Sequence, residues 1–293
     1  MRTIAVFLWL AASMLNAQSL AGVVDLHMHS DPDSMPRSID ALDLARLCKT
    51  KGYRALLLKN HYEPTAGLAW LARKEVPGIE VYGGIALNRS VGGINPAAVE
   101  HMVQVKGGYG RVVWMPTFDA QNQAMDAKDG RPFVPVSRDG KLLPAVMEVI
   151  HLIAKNDLTL ATGHSSASEV MLLIEAARGA GVKRIVVTHG MLAPVRMTVA
   201  QMQQATKLGA YIEFVYNALI GPNKMFDMPE YARAIRAVGA EHCILSSDLG
   251  QKGNPLHPDG MLAFFEGLRA NGFSAEEIEM MAKRNPAAAL GIQ

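Results

Sequence analysis

Residues 158–190 read LTLATGHSSASEVMLLIEAARGAGVKRIVVTHG. Leu158–His164 is a short apolar run, and Arg184–His189 is a second. Between them Val170, Leu173, Ile174 and Ala177 recur at helical spacing. Ser166 followed by Glu169 is the capping-box pattern that opens a helix. A strand, a helix and a second strand in succession predict two parallel strands joined by a crossover. Each strand ends in a histidine.

The same unit repeats on both sides. Further strand candidates are Val23–His29, Tyr53–His61, Glu80–Leu87, Arg111–Thr117, Ala210–Asn217 and His242–Asp248, each bounded by Gly, Pro, Asn or Asp. Leu142, Leu143, Val146, Val149, Ile150 and Ile153 recur at helix spacing, and Thr198 with Gln201 and Ser274 with Glu277 repeat the capping pattern. Eight such units predict an α/β fold whose parallel sheet closes into a (β/α)8 TIM barrel. The rival, an open doubly wound sheet, calls for a Gly-rich phosphate loop after the first strand, and none is present. Nothing divides residues 22–293, which are expected to form a single domain. The connection Asp119–Lys141 is unusually long. Within it Arg131–Val136 and Lys141–Leu143 flank Ser137-Arg138-Asp139-Gly140, which predicts a small hairpin with an Asp-Gly turn. A lid or substrate-shaping role is expected for it.

Met1-Arg2-Thr3, the apolar run Ile4–Leu15 and Leu15-Asn16-Ala17 have the layout of a secretory signal peptide, residues 1–17. The run is shorter than the ~20 residues a membrane-spanning helix needs. The mature protein is therefore expected to be exported, periplasmic or secreted, without a stable membrane anchor. The net charge is only +2 and no basic run occurs, which argues against nucleic acid as a partner. Apolar residues make up 49% of the chain, enough for a sizeable core. Cys48 and Cys243 fall on elements that neighbour each other in a closed barrel; two unpaired buried thiols are the expectation, with a bridge the alternative. Association into a homo-oligomer is left open.

The chemistry lies at the strand tips. Side chains alternate along a strand, so His27 and His29 point the same way at the end of the first one, with Asp25 on the same face. His164, His189 and Asp248 end three later strands. All fall on the catalytic face of such a barrel. Neutral imidazole suits zinc and other first-row metals, and a carboxylate completes the shell. Asp248 is the candidate proton shuttle. Lys59 and His61 end the second strand on one face, above Ala55 and Leu57 as interior fillers. Lys59 has three readings: a carboxylated metal ligand, an ammonium that pairs with a substrate anion, or a salt bridge to Asp25 or Glu63. His61 is a candidate ligand, general acid or substrate donor. Asn88, Arg89, Thr117, Asn217 and His257 are candidate substrate contacts. Glu213, if inward, must be paired. His101, His151 and His242 lie away from the tips and read as structural. No Gly-x-Ser-x-Gly elbow is present, and neither cysteine sits at a strand tip.

The set HxH, His, His and Asp on strands one, five, six and eight resembles the amidohydrolase superfamily, and Asn285-Pro286-Ala287-Ala288-Ala289-Leu290-Gly291 is similar to its closing helix. The segments LLLKNHYEPT, ALNRSVGGINP and VVWMPTFDA resemble a bacterial branch known only as a domain of unknown function. The resemblance implies that His27, His29, His164, His189 and Asp248 hold one or two divalent ions, zinc foremost. Many two-metal members carry a bridging carboxylated Lys or a Glu on the fourth strand; here that strand reads Val112-Val113-Trp114-Met115-Pro116-Thr117. The implied activity is hydrolysis of an amide, cyclic amide, ester or lactone in a small molecule. A decarboxylase or other lyase of the same superfamily is the alternative, and a non-catalytic metal-binding barrel the third reading.

Overall fold

Eight parallel strands wall a barrel in the computed structural model, which describes residues 20–292. The expected signal peptide lies outside the described residues. In chain order the strands are β1 (Val24–Met28), β2 (Ala55–Leu58), β3 (Glu80–Ala86), β4 (Gly110–Trp114), β5 (Ser137–Arg138), β6 (Lys141–Leu142), β7 (Thr159–Ala161), β8 (Arg184–Val187), β9 (Tyr211–Val215) and β10 (Cys243–Ser246). The wall runs β1-β2-β3-β4-β7-β8-β9-β10, and β5 pairs with β6 apart from it. A parallel bridge between Met28 and Leu249 joins the two ends of the sheet. Across this seam His29 N donates to Leu249 O at 2.9 Å and Asp248 N donates to His27 O at 2.8 Å. The expected TIM barrel is the fold found.

Strand alternation sorts the core into two layers. Leu56 and Leu58 face outward into the layer shared with the helices, and Ala55 and Leu57 face inward with Trp114, Val186 and Ile244. Ala287, Ala289 and Leu290 of the helix Asn285–Leu290 pack into that inner layer and floor the barrel. Asn285 Nδ2 pins this helix to Cys243 O at 2.7 Å and Ala240 O at 2.9 Å. The capping boxes at Ser166, Thr198 and Ser274 all form.

The hydrogen-bonded strands are shorter than the sequence runs suggest, because the last residues of each run leave the ladder at the upper rim. Those residues carry the polar side chains. Gly163 makes one such exit feasible: its φ is +61°, and a Cβ there would lie 2.2 Å from Met115 O. His164, the next residue, then donates its N–H to Pro116 O at 2.9 Å.

The long connection differs from expectation. Its hairpin pairs only Ser137 with Leu142 and Arg138 with Lys141, around Asp139 and Gly140 at φ of 51° and 72°. Both positive angles match the tight turn anticipated from Asp-Gly. Residues 131–136 are not a hairpin arm; Val134 instead bridges Ala120, ahead of a helix over Gln121–Ala127 that periodicity did not reveal. Cys48 and Cys243 are buried free thiols. Among the described residues no helix is long and apolar enough to cross a membrane.

Candidate metal centre

His27, His29, His164, His189 and Asp248 line one cavity of about 320 Å³ at the upper rim, with Lys59 and His61 beside them. Donor atoms of His27, His29 and Asp248 lie within 4.8 Å of one another. Asp248 Oδ1 stands 3.0 Å from His27 Nε2 and 3.1 Å from His29 Nε2. On the opposite wall His164 Nε2 and His189 Nε2 are 3.2 Å apart. The His27 and His189 rings stack at 5.9 Å and link the two halves.

The outer nitrogens explain which atoms are free. His27 Nδ1 faces Glu213 Oε2 at 3.2 Å, His29 Nδ1 faces Lys59 O at 3.0 Å, and His164 Nδ1 faces Gln123 Oε1 at 2.8 Å. Each partner is an acceptor, so each Nδ1 carries a proton; Nε2 of His29 and His164 then presents a lone pair to the cavity, whereas His27, charged in the metal-free protein, directs a second proton from Nε2 to Asp248. A lone pair of neutral His29 therefore meets a carboxylate oxygen, while His189, whose Nδ1 has no partner, can donate from Nε2 to His164 Nε2. The close approach of two acceptors, His29 Nε2 and Asp248 Oδ1, calls for a cation between them. A divalent ion with a preference for nitrogen and oxygen fits this donor set. His189 and Asp248 also take left-handed backbone angles, φ of 28° and 51°. A non-glycine residue is held there only when its surroundings impose it.

Electrostatics agree. Burial pushes His29, His61 and His164 well below the usual imidazole range and His189 down to about 4, so these rings are neutral near pH 7. Burial also opposes a charge on His27, but Asp248 and Glu213 outweigh it and lift the group to about 9. Burial disfavours ionised Asp248 too, yet His27 and His29 hold it well below the usual carboxylate range. The His27 Nε2 proton thus occupies the position a metal would take. Glu213, inward on β9, is paired as its burial requires: it meets His27 and accepts His189 N at 3.1 Å.

Lys59 Nζ lies 2.9 Å from His27 Nε2, and no ion pair joins it to Asp25 or Glu63 among the described residues. Burial lowers its pKa to about 8. Asp25 sits beneath the cavity, accepting His27 N at 3.0 Å and Ser247 N at 3.1 Å. His61 is clamped between Thr117 Oγ1, at 2.8 Å from its Nδ1, and the Phe118 ring stacked at 3.7 Å.

The weaker candidates divide. Asn217 Nδ2 donates to Asp248 Oδ2 at 3.3 Å and stands behind the carboxylate. Asn88 and Thr117 are not on the cavity wall. Asn88 Nδ2 donates to His61 O and Thr117 Oγ1 at 2.7 and 2.6 Å, and its Oδ1 accepts Thr117 N at 2.8 Å, so the pair laces three strand tips together. Arg89 is exposed and borders a separate hollow with Phe133 and Leu143. His257 is fully buried, its ring close to the Leu249 and His29 carbonyls but without a well-directed hydrogen bond to either nitrogen. The hairpin is also absent from the cavity wall; Ser137 Oγ turns to Glu169 Oε1 at 2.9 Å. From the same connection it is Gln123 that reaches the cavity, together with Phe118 just before it. Arg37 lines it as well, without having been anticipated. Its one sequence cue is the Asp33–Arg37 spacing in a loop without periodicity.

Barrel, floor helix and strand-tip histidines together define a (β/α)8 barrel with a candidate metal centre at its upper rim. The chain belongs to the Family of unknown function (DUF6282), whose pattern matches residues 22–213. No curated protein matches it. Among solved structures it is similar to a mutant PTE-like lactonase from Deinococcus radiodurans, with 15% identity over 94% of this chain and 97% of that one and a TM-score of 0.63. The phosphotriesterase homology protein from Escherichia coli, complexed with phosphate in its active site, gives 17% over 92% and 99%, with a TM-score of 0.57. An amidohydrolase from Pseudomonas aeruginosa gives 10% over 94% and 97%, with a TM-score of 0.60. At these identities the likeness is one of fold.

Proposed function

We propose that the protein is a metal-dependent hydrolase of a small molecule, cleaving an amide, cyclic amide, ester or lactone. The observation that carries this reading is the convergence of His27 Nε2 and His29 Nε2 on Asp248 Oδ1, with each outer nitrogen tied to an acceptor. His27, His29, His164, His189 and Asp248 would hold the ion, zinc foremost, and Lys59 would serve as a carboxylated ligand or as a cation. When bound, a divalent ion supplies Lewis acidity and an activated water at neutral pH. Asp248 takes the proton released in the attack and returns it to the leaving group. Asn217, on its second oxygen, fixes the carboxylate's orientation for both transfers. His61, neutral and braced by Thr117, offers its remaining nitrogen to the substrate. Structures of the same fold named as a lactonase and an amidohydrolase support the reaction class. Export through residues 1–17 is part of the same proposal. Metal analysis of the purified protein, paired with a screen of amides, lactones and phosphoesters, tests it. The expected result is bound zinc and chelator-sensitive hydrolysis. A protein that purifies metal-free and ignores added zinc or manganese would refute it.

A further inference from the structure

The loop between β1 and the first helix places a guanidinium in the wall of this cavity. Arg37 is only 5% exposed. Its backbone forms an antiparallel bridge with Gln251, and Ser38 N donates to Gly250 O at 2.9 Å. One edge of its side chain is anchored: Nε donates to Asp33 Oδ2 at 2.7 Å, and Nη2 lies 2.6 Å from the same oxygen. The other oxygen, Asp33 Oδ1, accepts Met35 N at 3.1 Å. Two N–H groups thus crowd a single acceptor, and the buried Nη2 makes no well-directed hydrogen bond.

A purely structural Arg–Asp pair would engage both carboxylate oxygens with both ends of the fork. Here one oxygen serves the backbone, so Asp33 does not satisfy all five N–H donors of this cavity-lining guanidinium. Such a group suits a planar oxyanion. Lys59, in its ammonium form, would add a second buried cation to the same wall. The nearby carboxylates Asp248 and Glu213 are already engaged by imidazoles.

We propose that Arg37 is the specificity residue of the site and that it pairs with a carboxylate on the substrate. The substrates are then small organic acids, with the scissile acyl group at Asp248 and the acid group at Arg37. A cavity of about 320 Å³ admits a molecule of that size. This inference rests on the hydrolase reading.

Calorimetric titration of the metal-loaded protein with glutarate, glutaramide and methylphosphonate tests it. Glutarate is expected to bind more tightly than its neutral diamide. Arg37→Gln should weaken glutarate by about tenfold or more, as loss of a charged hydrogen bond does. Glutaramide binding and metal content should not change, and Arg37→Lys should recover part of the loss. If Arg37→Gln fails to fold, Asp33→Asn/Arg37→Gln keeps a neutral pair and answers the same question. Preference for methylphosphonate with the same Arg37 dependence would overturn the carboxylate assignment in favour of a phosphoryl group. Unaltered glutarate binding in the variant, or no anion bound by the wild type, would overturn the proposal. Titration of metal-stripped protein separates the two readings. A protein that holds metal but shows no Arg37 dependence loses this inference alone; Arg37 dependence in a chain that takes up no metal leaves an anion site without the hydrolase.

Discussion

At the residue scale the centre depends on atoms that orient imidazoles as much as on the imidazoles. Glu213 fixes His27 through Nδ1 and holds the His189 backbone with the same oxygen. Glu213→Gln keeps the shape and removes the charge. It should weaken zinc binding by about 10–100-fold, the usual cost of losing an outer carboxylate partner. Competition with a chromogenic chelator reads this out, and unchanged affinity would show that Glu213 orients nothing. Asp248→Asn should leave the barrel folded and lower kcat by about 10²–10⁴-fold, the range of a lost general base. Full activity in that variant would remove Asp248 from proton transfer. For Glu213 the sequence supplied only a condition, that an inward carboxylate must be paired, and the structure supplies the inward direction. Gln123 and Arg37 were not legible. Both lie in loops, where neither period nor neighbours reveal a side chain's direction.

At the element scale the strand tips matter most, since each tip must stop pairing where its functional residue begins. Gly163→Ala tests this directly. The substitution puts a Cβ 2.2 Å from Met115 O at a left-handed φ. A loss of about 2 kcal/mol or more is expected, roughly 3 °C or more in Tm at this chain length. Thermal unfolding measures it, and an unchanged Tm would mean the rim relaxes freely. The strands were readable because apolar runs bounded by turn residues are a strong local signal, and because Ala55 and Leu57 continue upward into Lys59 and His61. The hairpin's turn was readable from Asp-Gly, but its arms were not. Residues 131–136 settle against Ala120 instead of pairing, and that choice depends on contacts distant in sequence.

For the whole molecule the proposed metal and the buried histidines would set the response to conditions. An ion that binds the folded chain alone stabilises it by mass action, about 4 kcal/mol when free metal exceeds Kd a thousandfold. Chelation should therefore lower Tm, and zinc should restore it; identical melting curves would argue against a resident ion. Acid should destabilise the metal-free protein. Burial holds His257 down to about 4, with the Leu249 and His29 carbonyls opposing it only partly. The unfolded chain takes up this proton near pH 6.5, the folded chain only near 4. Stability from His257 is thus full above about 6.5 and is lost as pH falls towards 4, by about 3 kcal/mol. His257→Phe should flatten that limb in thermal melts recorded from pH 7 to 4, and parallel curves for the two proteins would refute the assignment.

The seam of the barrel has a temporal consequence. His27 and His29 stand near the start of the described chain and Asp248 close to its end, and they meet only where Met28 bridges Leu249. A growing polypeptide has no such meeting point until its last strand has been released and docked. Capture of the proposed ion would accordingly be a final event, and the metal acquired would reflect the supply in whichever compartment the ring is completed.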